Sequence, residues 1–526
     1  MFKAFDSSAM LRAFSRYAPF TDLSALNASS AKPLRKSIRV NTLKCTVEEI
    51  KAWGKSKNWT LEPVPWCSEG FYIDRPSPAA AGLWPASRVD EPKREALGKD
   101  LLHLFGGFYM QEAASMLPVA LLDPKPSDVI LDMSAAPGSK TTQIADRMEG
   151  RGVLIANDVQ EKRIWSLITN LQRSGVMNEV VTRKVGQWFA GNMTERFDRV
   201  LCDAPCTAQG TVRKDTDSLD YCSMDNIGKM AKLQRELLES AVHACKVGGR
   251  IVYSTCTLTP EENEEVVLSI LNKFSTQLVV IDPREIQSGK LKVQSDEGVK
   301  AGFDRAIEDS IVVQKSLEKS GNFPLSSFNF PLLRLWPQTY DTEGFFCAVF
   351  EKRAPTRDRG NARTQNQPHQ WSVLPKARVK EIAENLIDWY GMSFIREDEV
   401  LTEYKEQLSI MPRELLDFPL SVQPILGGLP FGKSTNHGLV RLSHEIATLR
   451  GLDAPKQVLV ITESQMHEMM KGMNLSVTKP EGMDDGDVLL AVDFPVLGRN
   501  MIVGRGVLKA GIVMNRLPRD MVRMFS

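Results

Sequence analysis

Two cysteines stand where chemistry could use them. Cys206 closes the run Arg199-Val200-Leu201-Cys202-Asp203-Ala204-Pro205-Cys206, and Cys256 follows Ile251-Val252-Tyr253-Ser254-Thr255. Both runs read as buried parallel strands, and open α/β sheets bind ligands beyond the carboxyl ends of their strands. Two thiols and the Asp203 carboxylate are therefore expected in one crevice. Such a set suits attack on a cytosine ring. Carbon 5 of that ring is a poor nucleophile, but addition of a thiolate to carbon 6 creates an enamine that can take up an electrophilic methyl group. A carboxyl against the exocyclic amine and nitrogen 3 would stabilise the developing charge. A base must then remove the carbon 5 proton so that the thiol can leave. Spacing alone does not say which cysteine attacks. Cysteine is also a common core residue, and Cys202, Cys222, Cys245 and Cys347 are read as that.

A second set belongs to a cofactor. The strand candidate Val129-Ile130-Leu131 runs into Asp132-Met133-Ser134-Ala135-Ala136-Pro137-Gly138-Ser139-Lys140, with a helix expected from Thr141. Small residues at a strand-to-helix turn admit a ligand to the backbone, and the helix start offers free N–H groups to an anion. Asp158 closes the next strand, 26 residues after Asp132, where an acid can grip ribose hydroxyls. The pattern GxxxxGK[ST] is absent, so an NTP-phosphate loop is excluded.

The elements that must position these residues form an alternating pattern. Strand candidates Val129–Leu131, Val153–Ala156, Val180–Thr182, Arg199–Cys202, Ile251–Ser254 and Leu278–Ile281 predict a doubly wound parallel sheet, to which Phe345–Phe350 can add an edge strand. Residues 1 to about 110 read as a separate mixed domain, with helical segments, a strand-like Ser37–Asn41 and Trp- and Pro-rich loops from Trp59 to Pro92. The segment before Gln370 lacks apolar periodicity and reads as a linker.

A chain of 526 residues is too long for one core, and 42% hydrophobic with 25% charged residues excludes a mainly disordered or coiled-coil protein. Lys plus Arg number 66 against 65 Asp plus Glu, so a nucleic-acid partner must be held by a local patch. The eight cysteines contain no CxxC, which fits reduced thiols in a cytoplasmic protein. Cys202 and Cys206 lack a second ligand pair, so no metal site is predicted. No apolar run approaches the roughly 18 residues of a membrane span.

The strings DMSAAPGSKT, DAPCTAQGTVRKD, STCTLTPEENEEVV and RLWPQTYDTEGFFCAVF, in that order, resemble the Nop/Sun family of S-adenosylmethionine-dependent RNA cytosine-carbon-5 methyltransferases. YMQEAASML (Tyr109–Leu117) and SIRVNTLK (Ser37–Lys44) are similar to that family's lead-in to the first strand and to its N-terminal domain. The resemblance implies a Rossmann-like class I methyltransferase sheet with Cys256 as nucleophile, Cys206 assisting breakdown of the covalent intermediate, and Asp203 on the base. Ser134, Ala135, Ala136, Pro137, Gly138, Ser139 and Lys140 would hold the methionine part of S-adenosylmethionine, Asp158 its ribose, with Asp203 lining the same site. Three positions depart from the family: Val185 stands where an acid usually reaches the adenine amine, Thr207-Ala208-Gln209-Gly210 replaces the usual Ser-Gly-Glu/Asp-Gly, and Gln338 replaces a His.

The C-terminal strings from Leu426 to Arg523 resemble the tail of the family's bacterial F-type branch, which acts on small-subunit rRNA and ends in a PUA-like RNA-binding barrel. Arg499, Arg505, Lys509, Arg516, Arg519 and Arg523 against Asp520 alone give this end a basic surface suited to phosphates. The expected domains are thus an N-terminal α+β RNA-binding domain (1–110), the methyltransferase (111–352), a linker (353–370), an intermediate domain (371–454) and a PUA-like domain (455–526). The expected activity is 5-methylcytosine formation in structured RNA, foremost 16S rRNA within a small ribosomal subunit, by a monomer. A tRNA substrate and a catalytically vestigial ribosome-assembly factor are the alternatives.

Overall fold

A computed structural model describes residues 7–75, 96–286, 297–319, 329–357, 371–434 and 440–523. The expected linker lies outside the described residues from 358 onward, as does the Trp- and Pro-rich segment from 76 to 92.

The central sheet runs, from one edge, Leu278–Val280, Phe345–Lys352, Cys245–Thr255, Phe197–Asp203, Val129–Asp132, Val153–Asn157, Glu179–Thr182 and Leu426–Gly427. The five strands from Cys245–Thr255 to Glu179–Thr182 are parallel. Their side chains alternate between two cores: in Val153–Asn157, Leu154 and Ala156 face one and Val153 and Ile155 the other. Helices Ala113–Leu122, Ser139–Arg147, Glu161–Ser174 and Glu297–Lys319 cover the first face; Met224–Ala244 and Glu264–Lys273 cover the second. This is the expected doubly wound, Rossmann-like sheet.

Two features of the sheet differ from the sequence reading. Phe345–Lys352 is not an edge strand: it lies between Leu278–Val280 and Cys245–Thr255 and runs antiparallel to both. The reason is visible in its composition, since Phe345 to Phe350 are all buried, and an apolar run without alternation suits a strand covered on both faces. The opposite edge is closed by Leu426–Gly427, a strand contributed from far outside the methyltransferase segment, whose neighbour Ile425 donates its N–H to the Val181 carbonyl at 2.8 Å.

The N-terminal region carries an antiparallel sheet in the order Thr60–Val64, Cys67–Asp74, Lys36–Val40, Phe108–Met110. Its helix Val47–Ser56 starts at a reciprocal Thr46/Glu49 capping box. The C-terminal region carries a four-stranded sheet within 399–442 and a five-stranded mixed sheet within 458–515. Among the described residues no helix is long and apolar enough to cross a membrane.

Candidate active site

The first strand delivers Asp132 to the carboxyl edge, where the chain turns through Ser134–Lys140 into helix Ser139–Arg147. Gly138 holds φ +109°, a left-handed conformation that glycine adopts without steric cost. The loop is braced from three sides. Ala135 donates its N–H to the Asn157 carbonyl at 2.7 Å, Asn170 donates to the Pro137 carbonyl at 2.8 Å, and Arg39 of the N-terminal sheet donates to the Ser139 carbonyl at 2.8 Å. The sequence assigns Arg39 no role, its one signal there being an arginine flanked by Ile38 and Val40 in a strand pattern. Arg39 is 1% exposed.

Asp158 is brought to this loop. Its Oδ2 accepts from the Ala136 N–H at 3.1 Å and its Oδ1 from the Gln160 N–H at 2.9 Å. The carboxylate is 2% exposed and the Arg163 guanidinium lies 3.6 Å from Oδ2, so a ribose would share it with these partners. Val159 and Val185, at the ends of adjacent strands, are 53% and 56% exposed.

Lys140 reaches past the loop. Its Nζ lies 2.7 Å from Asp203 Oδ2 and both side chains are largely covered. Burial alone would lower the lysine's pKa, but the charge and hydrogen bond of Asp203 reverse this and hold the ammonium above its ordinary value. Ser254, which the sequence reading left unassigned, donates its hydroxyl to Asp203 Oδ1 at 2.7 Å. Behind them burial pushes Asp132 up to about 7, against the hydrogen bond from Thr141 and with the Asp203 charge adding to the rise.

The two thiols meet beside this group. Cys206 Sγ and Cys256 Sγ are 3.3 Å apart, and both residues are half-buried. The Cys206 thiol is held well above its ordinary pKa, first by its hydrogen bond to Cys256, then by burial. The two sulfurs are thus within hydrogen-bond reach, and either can donate to the other. The approach of the two loops depends on Gly210, whose N–H donates to the Cys256 carbonyl at 3.0 Å. A Cβ there would meet that carbonyl oxygen at 2.7 Å and the Gly344 carbonyl oxygen at 2.2 Å. Cys202, Cys245 and Cys347 are buried within the sheet, and Cys222 lies half-buried after the short helix Thr216–Tyr221. Gln338, at the family's His position, donates to Thr21 Oγ1 at 2.7 Å and so ties the short helix Pro337–Tyr340 to the N-terminal helices.

A doubly wound sheet with a small-residue loop after its first strand and an acid closing its second has the form of an S-adenosylmethionine-dependent methyltransferase. The family described as 16S rRNA methyltransferase RsmB/F matches residues 119–351, and the N-terminal domain of 16S rRNA methyltransferase RsmF matches residues 14–113. The ribosomal RNA small subunit methyltransferase F of Vibrio atlanticus (strain LGP32) is 34% identical over 512 residues, covering 95% of this chain and 94% of its own. That of Vibrio cholerae serotype O1 (strain M66-2) is 34% identical over 514 residues, covering 96% and 94%. The chain belongs to the RsmB/F family of 16S rRNA methyltransferases, which use S-adenosylmethionine. Among solved structures, NSun6 from Pyrococcus horikoshii with SFG has the same fold, with a TM-score of 0.50 at 23% identity, covering 66% of this chain and 97% of its own.

Proposed function

We propose that this protein methylates carbon 5 of a cytosine in 16S rRNA through a covalent bond between Cys256 and carbon 6 of the base. The observation that carries the reading is the 3.3 Å approach of Cys206 and Cys256 beside the Lys140–Asp203 pair. When bound, S-adenosylmethionine supplies a methyl group on a sulfonium centre. Ser134–Lys140 would hold its methionine part and Asp158 its ribose, while Val159 and Val185 offer two exposed apolar surfaces at neighbouring strand ends for a flat ring.

The Thr255-Cys256 motif assigns the attack on carbon 6 to Cys256, with Cys206 Sγ 3.3 Å from it. Asp203, fixed by Lys140 and Ser254, would accept a hydrogen bond from the exocyclic amine and so orient the base, while the Lys140 ammonium offsets the negative charge that develops on the ring. After transfer, Cys206 is the group placed to take the carbon 5 proton; the C–H electron pair re-forms the carbon 5–carbon 6 double bond and the Cys256 sulfur leaves carbon 6 as a thiolate. The target base must leave its stack to reach Cys256. Residues 1–110, 371–454 and 455–526 would grip the surrounding RNA, the last as a PUA-like unit, in a cytoplasmic protein.

Incubation of each cysteine variant with cofactor and 16S rRNA, followed by denaturing gels, tests the roles. Cys256→Ala should abolish methylation without an adduct, and Cys206→Ala should accumulate covalent RNA adduct. An adduct with Cys256→Ala and none with Cys206→Ala would exchange the two assignments.

A further inference from the structure

Each of the two cysteines is followed by a threonine, and both threonines point to one buried carboxyl group. Glu262 is fully buried. Its Oε2 accepts from the Thr207 N–H at 3.0 Å and from Gln234 Nε2 at 2.8 Å. Its Oε1 accepts from the Thr207 hydroxyl, from Thr259 Oγ1 at 2.8 Å and from Thr257 Oγ1 at 3.4 Å. Gln234 uses the same amide nitrogen to reach the Pro205 carbonyl at 2.8 Å. The backbone on both sides of Cys206 is thereby fixed by one carboxyl and its glutamine partner, and the residue after Cys256 is tied to the same carboxyl. Gln209, at the position of the family's usual acid, completes the cluster by donating from Nε2 to Thr207 Oγ1 at 2.7 Å and accepting from Thr257 Oγ1.

We propose that Glu262 is the positioning residue that sets Cys206 against Cys256. It acts through the backbone of Pro205–Thr207 and the side chain of Thr257 rather than on either sulfur. Thr207, Gln209, Gln234, Thr257, Thr259 and Glu262 are all at most 3% exposed. All the hydrogen-bond donors named here have a partner, and an orphaned donor in the interior costs as much as a lost hydrogen bond. Removing the carboxyl would orphan the Thr207 N–H and free the Cys206 loop, while leaving the cofactor loop Ser134–Lys140 and the Lys140–Asp203 pair in place. An amide at 262 keeps the shape and an acceptor oxygen.

The inference deepens the proposed covalent reaction and rests on it for one of two tests. The first test uses no RNA: a trivalent arsenical, phenylarsine oxide, bridges two thiols only when they lie close together, forming two As–S bonds and releasing one water. Capture by the full-length protein is measured by intact mass and reversed with a dithiol. Glu262→Ala and Thr207→Val should each weaken capture by about tenfold, the equivalent of one buried hydrogen bond, whereas Glu262→Gln should stay within about threefold of the parent. The second test follows adduct on denaturing gels. Glu262→Ala should accumulate covalent RNA as Cys206→Ala does, because attack by Cys256 survives while release fails. A merely structural role would lose adduct and cofactor binding together.

Undiminished arsenical capture by Glu262→Ala that still binds cofactor would overturn the proposal. Should Glu262→Ala not fold, Thr207→Val, which removes a single hydroxyl and leaves the carboxyl, decides in its place by the same measure. Weakened capture with no adduct in either Glu262→Ala or Cys206→Ala would keep Glu262 as the positioning residue and reject the assigned role of Cys206 in release.

Discussion

Val185 and Asp132 show how single side chains tune this site. Val185 stands at a strand end, more than half exposed, where an acid would face a ring lying over Val159. A charged acceptor for a neutral amine is worth about 1.5–3 kcal/mol, so Val185→Asp should tighten cofactor binding by about tenfold or more. Calorimetric titration showing no gain would mean that the adenine amine is held elsewhere. Asp132 carries a linkage to pH. Its carboxyl is protonated in the folded chain up to about 7, whereas an unfolded aspartate ionises near its ordinary 3.8. Between these values the folded state binds the extra proton, so this group's contribution falls as pH rises and levels off above about 7. Asp132→Asn removes that fall. Its melting temperature relative to the parent should climb between pH 5 and pH 8, by the equivalent of about 3 kcal/mol. A gap that stays constant across this range, or shrinks, would place the Asp132 pKa near its unfolded value.

At the scale of elements, what could be read from the sequence and what could not differ by length and periodicity. Val129–Asp132, Val153–Asn157 and the Val200–Cys202 part of Phe197–Asp203 are legible because buried parallel strands leave short apolar runs, and Cys206 and Cys256 are placed from the ends of such runs. Phe345–Lys352 was legible as a strand but not in its position, since sequence order says nothing about insertion between two earlier strands. Leu426–Gly427 has two residues and no period to detect. Glu262 could not be found from composition, because the Thr207 and Thr257 partners lie 55 and 5 residues away and meet it only in the fold. The late strand has an energetic consequence. Val400, Met411, Leu415, Leu420 and Val422 share the core of the sheet's second face with Phe197, Leu238 and Tyr253. Met411 is fully buried there, so Met411→Ala should cost about 2–4 kcal/mol. Calorimetry should show the methyltransferase sheet and residues 371–434 melting in one transition, shifted down together in the variant; two separate transitions would show that this shared core does not couple them.

For the whole molecule the two ends of the chain close on each other. Ile38, Phe71 and Phe108 of the N-terminal region share one core with Leu459, Leu490, Val503 and Val513 of the C-terminal sheet. Trp53 packs edge-on against Phe494 at 5.3 Å. Arg499 is clasped by Glu49 and donates to the Lys44 carbonyl at 3.0 Å, while Lys44 Nζ reaches the Arg173 carbonyl at 2.9 Å and Thr448 Oγ1 at 3.2 Å. This changes the reading of the basic tail: Arg499 and Arg505 face Glu49 and Asp487 within the fold, leaving Lys509, Arg516 and Arg519 as exposed cations whose side chains are described. It also decides which experiment can test the tail. Deleting everything after Gln370 would strip apolar cover from the catalytic sheet and from the N-terminal domain, so loss of RNA binding would not report on phosphate contacts. Replacing Lys509, Arg516 and Arg519 by Gln leaves both cores intact. If these cations track a duplex backbone, the slope of log affinity against log salt should flatten by up to about 0.9 per contact, with cofactor affinity unchanged. RNA affinity measured at several salt concentrations, with cofactor titrations in parallel, distinguishes the outcomes: an unchanged slope assigns the C-terminal sheet to bracing the N-terminal domain, and RNA would then be held by the surfaces nearer Cys256.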